Sequence, residues 1–401
     1  MNFGHDQTDD LDDSSGLDRA WLGNMVDEAI RRRASDIHID PGRLSAAVRL
    51  RIDGILQELN TYELELHSPV VSQIKIACDL DIVNTRLPQD GQFEHQKDGR
   101  THYVRVSTFP SIYGEAVVMR ILNNQKSFLP LEELGLDERQ LQDLYSIINS
   151  PFGMVLATGP SGSGKSTLLN SILSHLNNPH NNIVTVEDPV EFHIDGVRQA
   201  QVNQYHAFDF TTALRAILRQ DPDVMMIGEI RDPETARIAV QATMAGRLFF
   251  STFHTLDLAA IVSRFIEMEI PRSVVAHVLG GIISTRLVRK ICPHCRELYT
   301  MQPYEEFLLR PYIPAGTPLY HGTGCAECDH SGYLGTIGIY EVIRFDHDLR
   351  TAILDGASAL DLKKMLRDKN ITSLLDSVLA KAISGVTTPT EVIRVTGAKA
   401  D

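Results

Sequence analysis

The sequence predicts an α/β protein with a small N-terminal α+β domain and a larger C-terminal α/β domain. Its 401 residues are enough for two or three domains of roughly 150 residues each. In the first third of the chain, apolar and polar residues alternate, as in strands that are buried on one face. Further on, short unbroken apolar runs are separated by helical stretches, which is typical of parallel strands buried on both faces.

Composition and charge exclude several classes of protein. The chain is 43% hydrophobic and 22% charged, which is ordinary for a soluble protein. Its formal net charge of -14 argues against a protein coated in nucleic acid. No apolar run approaches the roughly 18 residues that span a bilayer, and the N-terminus is acidic where a signal peptide is basic. We therefore expect a cytoplasmic protein whose membrane association, if any, is peripheral.

The N-terminal third divides into three segments. Residues 1–16 carry five aspartates and little that can be buried, which predicts a disordered acidic tail. Residues 17–122 begin with a helical pattern and continue as alternating strands with turns at Asp53-Gly54 and Asp98-Gly99. Residues 123–133 are polar and without periodicity, and we predict them as the interdomain linker.

Residues 134–401 are predicted as the second domain. A cysteine-bearing insert spans 291–335, and helices at 359–367 and 371–383 close the chain. Continuous apolar runs predict buried strands at residues 154–157, 183–186, 224–227 and 248–250.

One motif carries a specific chemistry. Residues 159–166 read GPSGSGKS and fit GxxxxGK[ST], after a buried strand and before a helical run. In such a loop backbone N–H groups and a helix N-terminus bind phosphate, while Lys165 can reach the β- and γ-phosphates and Ser166 can ligate Mg²⁺. We therefore predict an ATP site formed by Gly159, Pro160, Ser161, Gly162, Ser163, Gly164, Lys165, Ser166 and Thr167.

A second strand ends in an acid. Four apolar residues, 224–227, are followed by Gly228 and Glu229. The pattern resembles a Walker B element, which would hold Mg²⁺ or orient the attacking water. Because Gly228 stands where an aspartate is usual, the match is loose, and a bare strand end with a surface glutamate is the alternative.

Five further motifs resemble signatures of the type II secretion and type IV pilus assembly ATPases. Residues 185–191 (TVEDPVE) resemble that family's acidic box, 228–232 (GEIRD) its Walker B region, and 250–255 (FSTFHT) its histidine box. Residues 33–39 (RASDIHI) and 86–91 (RLPQDG) resemble signatures of its N-terminal module. The resemblance runs from about residue 20 to the C-terminus.

This resemblance implies a RecA-like P-loop NTPase core, a PAS-like N-terminal domain and a zinc-binding insert. It implies a homo-hexameric motor that works with an inner-membrane platform protein, peripheral at the bacterial inner membrane. The motor would drive assembly of pilin or pseudopilin filaments, and ATP would bind between the N-terminal module and the RecA-like domain. The chain resembles a short form without the family's usual extra N-terminal docking domain. Its histidine box reads FHTLDL where the family usually has LHTN.

The resemblance also implies roles for individual acids. Glu191 would activate the attacking water with Glu187 in support, Glu229 would act on Mg²⁺ through water, and His254 would sense the γ-phosphate. A carboxylate can orient water, and histidine can donate to developing phosphate charge. The sequence leaves open which glutamate is the base.

Arginines form a further group of candidate nucleotide contacts. Helical spacing places Arg215 and Arg219 on one face of a predicted helix, where a solvated basic face is the alternative. The resemblance implies that both reach nucleotide, as would Arg231 and, from the N-terminal module, Arg105 and Arg120. A planar guanidinium suits spread phosphate charge.

Four of the five cysteines form two CxxC pairs, Cys292 with Cys295 and Cys325 with Cys328. Two such knuckles can hold one tetrahedral Zn²⁺, which would be structural because all four positions are filled. Basic residues that include Arg286 flank this element, either as a solvated edge or as a partner contact. In the family, this tetracysteine element accompanies assembly motors.

Two rival functions remain open at this point. A nucleic-acid translocase of RecA type would be stimulated by single-stranded DNA and bind it in a salt-dependent way. The acidic balance and 6% aromatic content give no stacking platform, so we expect no nucleic acid as a partner. A nucleotide-gated scaffold would bind ATP without turnover, against which the intact acids argue.

Overall fold

The computed structural model describes residues 21–122, 128–203, 208–253 and 258–397. The chain divides into two compact units, Met1–Gln125 and Lys126–Asp401. The predicted acidic tail at 1–16 lies outside the described residues. Among the residues that are described, none of the helices combines the length and the apolar character needed to cross a bilayer.

Over residues 21–122, the first unit is a six-stranded antiparallel sheet with two α-helices. The strands lie in the order β3-β2-β1-β6-β5-β4. Apolar residues of both helices and of the strands form one core, while the other face of each strand is more exposed, as the alternating pattern predicts. The elements are α1 (Trp21–Arg31), β1 (Ala34–Pro41), β2 (Ser45–Ile52), β3 (Ile55–Glu63), α2 (His67–Ala77), β4 (Gln89–Lys97), β5 (Arg100–Ser111) and β6 (Gly114–Leu122).

The two predicted turns of this unit are confirmed as hairpin connections. Asp53 and Gly54 join β2 to β3, and Asp98 and Gly99 join β4 to β5. All four residues have positive φ, from 48° to 85°. Turns with positive φ at both central residues match the twist of paired strands, and aspartate and glycine tolerate that backbone.

The second unit is built on a seven-stranded mixed sheet in the order β15-β12-β7-β11-β10-β8-β9. Neighbouring strands are parallel except β15, which runs antiparallel to β12. A separate two-stranded sheet pairs β13 with β14. The strands are β7 (Gly153–Thr158), β8 (Ile183–Glu187), β9 (Arg198–Gln201), β10 (Val224–Glu229), β11 (Leu248–Phe253), β12 (Leu279–Ile291), β13 (Arg296–Tyr299), β14 (Leu319–Gly322) and β15 (Tyr333–Arg344).

Helices cover both faces of this sheet, so its central strands are buried on both sides. On β7, Met154 and Leu156 belong to one core, while Val155 and Ala157 belong to the other. The continuous apolar runs therefore mark parallel strands, as predicted. The helices are α3 (Glu138–Ile148), α4 (Lys165–Leu176), α5 (Phe210–Ile217), α6 (Pro233–Met244), α7 (Leu258–Glu267), α8 (Arg272–Val278), α9 (Pro303–Leu309), α10 (His347–Leu354), α11 (Ala359–Asp368), α12 (Leu374–Ile383) and α13 (Pro389–Thr396).

The segment expected as a linker is partly packed. Residues 123–127 lie outside the described residues. Leu131 begins a short 3-10 turn, Leu131–Glu133, and is 2% exposed within one core of the second unit. The ring of Phe128 lies edge-on to that of Phe192. Residues 128–133 therefore belong to the packed structure of the second unit.

A buried ion cluster fastens α13 to β12. Glu391 is fully buried, and both Arg289 and Arg394 donate to its carboxylate, at distances from 2.6 to 3.1 Å. Burial raises the pKa of Glu391, but the hydrogen bonds from Arg394 and Arg289 outweigh it and lower the pKa below its usual value. The cluster therefore holds the C-terminal helix against β12.

Candidate nucleotide site and metal centre

The phosphate loop connects β7 to α4. Its glycines Gly159, Gly162 and Gly164 have φ of 149°, 71° and 96°, a region that glycine adopts readily. Gly164 is the N-cap of α4, so the loop ends at a helix N-terminus. Backbone N–H groups at such an end lack helical partners and attract anions. The loop therefore has the backbone of a phosphate site.

The neighbouring strand β12 fixes the shape of this loop. A Cβ on Gly159 would lie 2.5 Å from Ser163 Oγ and 2.6 Å from Thr285 O, closer than real Cβ atoms approach. Thr285 lies on β12, which runs parallel to β7 with Ser284 opposite Thr158. Thr285 Oγ1 also donates to Ser163 O at 3.0 Å. Gly159 is thus required by the close approach of a second strand.

Arg286 is a cation at the loop that sequence reasoning placed elsewhere. Its Nη1 donates to Thr285 O at 2.9 Å and would lie 3.1 Å from a Cβ on Gly159. Burial lowers the pKa of Arg286. Its position in the chain associates it with the cysteine element, whereas the pairing of β12 with β7 brings it to the phosphate loop.

Lys165 lies within the loop. Its Nζ donates to Gly159 O and Pro160 O, each at 2.8 Å. Burial and the charge of Arg286 lower the pKa of Lys165, while the charges of Glu229 and Glu191 act in the opposite direction. The ammonium therefore shares one electrostatic environment with two of the predicted acids. The next two residues on α4 are Ser166, which is half-buried, and Thr167, which is exposed.

Glu187 ends β8 and is 7% exposed. Its Oε1 accepts hydrogen bonds from Thr185 Oγ1 at 2.7 Å and from Gln199 Nε2 at 3.0 Å. The pKa of Glu187 is raised overall, chiefly by burial. The two donors lower it in part, and the charge of Glu191 raises it further. Glu191 itself is half-buried. Glu187 is thus a fixed, bonded acid beside a less enclosed one.

Glu229 ends β10, the strand next to β8. It forms an ion pair with Arg231, which raises the pKa of Arg231. A Cβ on Gly228 would lie 3.7 Å from Glu187 Cα, an ordinary contact, so the backbone does not demand glycine there. Glu187 of the adjacent strand lies beside the position where a Walker B aspartate is usual.

The predicted pair Arg215 and Arg219 is exposed, and only one member is helical. Arg215 lies on α5 and pairs with Glu234 of α6. Arg219 follows the end of α5 at Ile217, and its Nη1 donates to Arg215 O at 3.0 Å. The helix expected to carry both therefore ends before Arg219.

Arg105 and Arg120 lie in the first unit, directly opposite one another on β5 and β6. Both are exposed. Arg120 Nε donates to Oδ1 of the buried Asp36 at 2.8 Å. Adjacent guanidiniums repel each other unless an anion lies against them.

His254 lies outside the described residues. The strand that precedes it, β11, ends at Phe253.

The structure brings together Lys165, Glu187, Glu191 and Glu229 at the carboxyl edge of the parallel strands, where ligands bind in such sheets.

The four paired cysteines converge between β12 and β15. Their sulfurs all lie within 4.8 Å of one another. The Sγ–Sγ distances are 3.8 Å for Cys292 with Cys325, 3.9 Å for Cys295 with Cys328, and 3.7 Å for Cys325 with Cys328. Four thiolates at about 2.3 Å from one tetrahedral ion would lie about 3.8 Å apart. The donor set and its spacing therefore fit zinc.

Backbone donors support the thiolate form at one of these positions. Cys328 Sγ accepts from Cys325 N at 3.2 Å and from Gly332 N at 3.3 Å. Burial raises the pKa of Cys328, but these backbone donors, together with hydrogen bonds from the thiols of Cys325 and Cys295, outweigh it and lower the pKa to about 7. A metal requires the deprotonated thiolate, so this sulfur is prepared for ligation.

Comparisons with known proteins give one family for residues 10–394 of the chain. The profile of the family described as "Type II/IV secretion system protein" matches residues 10–394. Type II secretion system protein E of Dickeya dadantii (strain 3937) is 46% identical over 375 residues, covering 94% of this chain and 75% of that protein. Type II secretion system ATPase E of Vibrio cholerae serotype O1 is 43% identical over 375 residues, covering 94% and 74%.

A solved structure shows the same fold. The X-ray structure of the Legionella pneumophila ATPase DotB aligns with a TM-score of 0.70 at 18% sequence identity, covering 97% of this chain and 98% of that one. At this identity the likeness concerns the fold alone, and it confirms the predicted α/β class. With the profile match and the identities to secretion proteins, it follows that this chain belongs to the type II/IV secretion system protein family.

Proposed function

We propose that this chain is the motor ATPase of a type II secretion system, hydrolysing ATP to drive assembly of pseudopilin-like subunits. One observation carries the proposal: three glycines at positive φ shape a loop that ends at the N-terminus of α4 and encloses the Lys165 ammonium. Membership of the secretion family supports it, and both relatives belong to type II systems by name. Assembly of a type IV pilus uses the same chemistry and is the alternative within the family.

The phosphate loop would hold the triphosphate. Its backbone N–H groups and Lys165 would bind the β- and γ-phosphates. The Ser166 hydroxyl would ligate Mg²⁺ directly, and Glu229 would hold it through water, since Mg²⁺ prefers oxygen donors and keeps several waters. Bound Mg²⁺ would neutralise charge that develops on the phosphates.

Hydrolysis also needs a group that orients the attacking water. We assign this role to Glu191, which is half-buried and whose negative charge raises the pKa of Lys165. Glu187 is buried and bonded by two donors, which suits a supporting role. We carry over His254 as the sensor of the γ-phosphate from the family's histidine box.

Five arginines would add positive charge around the nucleotide: Arg105, Arg120, Arg215, Arg219 and Arg231. Arg105 lies directly opposite Arg120, whose Nε already donates to Asp36. We propose a RecA-like core with a PAS-like first unit, assembled as a homo-hexamer in which such arginines complete the site. A planar guanidinium with several donors suits an oxyanion better than a point charge does.

The tetracysteine cluster would hold one structural Zn²⁺. With four thiolates there is no open coordination position, so the ion would brace the insert and take no part in hydrolysis. We propose that the motor acts in the cytoplasm, peripherally at the inner membrane, through a membrane-embedded platform protein of the secretion machinery.

A steady-state ATPase assay tests the enzymatic proposal. Lys165→Ala removes the charge at the phosphates, and Glu229→Gln keeps the size of the side chain but removes its charge. Each should lower turnover by at least about 100-fold, the scale of a lost group that stabilises transition-state charge. Lys364→Ala, an exposed lysine on α11, is the matched control and should leave turnover unchanged.

The outcomes separate the rival functions. Turnover by the wild type that needs Lys165 and Glu229 supports the motor. Tight nucleotide binding without turnover by the purified assembly would favour a nucleotide-gated scaffold. Stimulation by single-stranded DNA that weakens with salt would favour a nucleic-acid translocase. Co-purification with a platform protein tests the assignment to a secretion system.

A further inference from the structure

The loop that carries Glu191 is held from one side by the edge strand β9. This strand pairs in parallel with β8, with Gln199 opposite Thr185 and Gln201 opposite Glu187. Residues 188–194 follow β8 directly and carry Glu191. Two amide side chains of β9 bond this segment, and they do so at different points.

Gln199 uses both ends of its amide on this region. Its Nε2 donates to Glu187 Oε1 at 3.0 Å and to Phe192 O at 2.8 Å. Its Oε1 accepts from Ile194 N at 2.7 Å. A glutamine amide carries two N–H donors and one acceptor oxygen, so both donors and the acceptor are engaged here. One side chain thus joins a buried acid to two backbone groups of the acidic loop.

We propose that Gln199 is a positioning residue for ATP hydrolysis, which joins Glu187 to the loop and so fixes the place of Glu191. The inference rests on the proposed function. Phe192 directly follows Glu191, so the bond to its carbonyl restrains the Phe192–His193 peptide, one residue beyond Glu191. Orienting water requires a carboxylate within hydrogen-bond reach, and a misplacement of about 1 Å can cost about 100-fold in rate.

The same side chain acts on Glu187. Both Gln199 Nε2 and Thr185 Oγ1 donate to one carboxylate oxygen, which favours the ionised form against the cost of burial. Without Gln199, Glu187 keeps Thr185 as a donor but loses its tie to the loop. Loss of Gln199 should therefore disturb the geometry of the acids while the phosphate loop stays intact.

Two substitutions separate the parts of this contact. Gln199→Met keeps the length of the side chain and removes the donors and the acceptor. Gln199→Glu keeps an acceptor for Ile194 N, removes both donors and adds a second carboxylate beside Glu187. Arg198→Met is the matched control: Arg198 lies on the same strand, is exposed, and donates to Asn182 Oδ1 and Gln220 Oε1, away from the acidic loop.

We expect kcat to fall about 10- to 100-fold in Gln199→Met, while the Kd for a fluorescent MgATP analogue and the melting temperature stay close to wild type. In Gln199→Glu, kcat should fall at least as far, because the new carboxylate would face the carboxylate of Glu187. Hydrogen exchange at the Ile194 amide should accelerate in Gln199→Met and stay slow in Gln199→Glu. Arg198→Met should retain most of the turnover.

Equal kcat in Gln199→Met and Arg198→Met would overturn the proposal. Parallel losses of kcat, nucleotide affinity and melting temperature would also overturn it, because they indicate general collapse of the strand edge. A wild type without turnover would contradict the proposed function itself and remove this role with it. Active wild type with an active Gln199→Met variant would refute only the positioning role.

Discussion

Replacing glycines of the phosphate loop one at a time tests whether β12 shapes it. Gly159→Ala and Gly162→Ala both place an L side chain at positive φ: at Gly162, with φ of 71°, this costs about 1–2 kcal/mol, and at Gly159, with φ of 149°, about 1–3 kcal/mol. They differ in their surroundings: the new Cβ at Gly162 meets nothing within 4 Å, while at Gly159 it meets Thr285 O at 2.6 Å. Overpacking of this kind costs about a further 1–3 kcal/mol.

The carbonyl of Thr285 cannot move cheaply because β12 is paired with β7 and β15. Gly159→Ala should therefore lose about 1–3 kcal/mol more than Gly162→Ala. If the loop moves away from β12 to relieve the contact, the loss appears in nucleotide affinity, at about tenfold per 1.4 kcal/mol. Both quantities are measured, by urea denaturation and by titration with a fluorescent ATP analogue.

Both variants carry the same chemical change, and both the φ of 149° and the contact with Thr285 O make Gly159→Ala the costlier of the two. If Gly159→Ala matches Gly162→Ala in free energy of unfolding and in nucleotide affinity, then β12 does not fix the loop. The importance assigned to Thr285 and Arg286 at this site would then be wrong.

Three further changes probe other parts of the second unit. Glu391→Gln leaves two arginines without a buried carboxylate and should lower the free energy of unfolding, measured by urea denaturation, by about 3 kcal/mol. Because the pKa of Glu391 is lowered in the folded protein, the difference in stability between wild type and variant should be complete above the usual pKa of 4.5. It should vanish as the pH falls through the folded-state pKa. A difference that persists at low pH would contradict the ion cluster. Cys328→Ser should abolish bound zinc, measured by metal analysis, and lower the melting temperature, while nucleotide binding persists; full zinc retention would contradict the site. Arg286→Ala should weaken MgATP binding about tenfold, the scale of a lost charge-assisted contact. Lys290→Ala, at an exposed position of the same strand, should leave the affinity unchanged. Equal affinities of the two variants for MgATP would place Arg286 outside the site.

Local signals explain why much of the site was predictable. The phosphate loop follows from its glycine spacing, its lysine and its strand–helix context, all within about fifteen residues. The central strands follow from apolar runs that fit burial on two faces. The cysteine cluster follows from two CxxC pairs, because each knuckle needs only three or four residues to place its two sulfurs.

The residues that the sequence did not reveal depend on strand pairing between distant segments. Arg286 reaches the phosphate loop because β12 pairs with β7, and Gln199 reaches Glu187 because β9 pairs with β8. A lone arginine or glutamine on a strand carries no local mark of such a neighbour. Arg219 shows the opposite error, since helical periodicity extended α5 past its end at Ile217.

Isothermal titration calorimetry of the wild type with MgATP tests the central claim, that the loop from Gly159 to Ser166 binds a triphosphate. We expect a saturable heat with one nucleotide per chain, and its loss in Lys165→Ala at an unchanged melting temperature. A folded, zinc-loaded wild type that gives no heat of binding would contradict the claim.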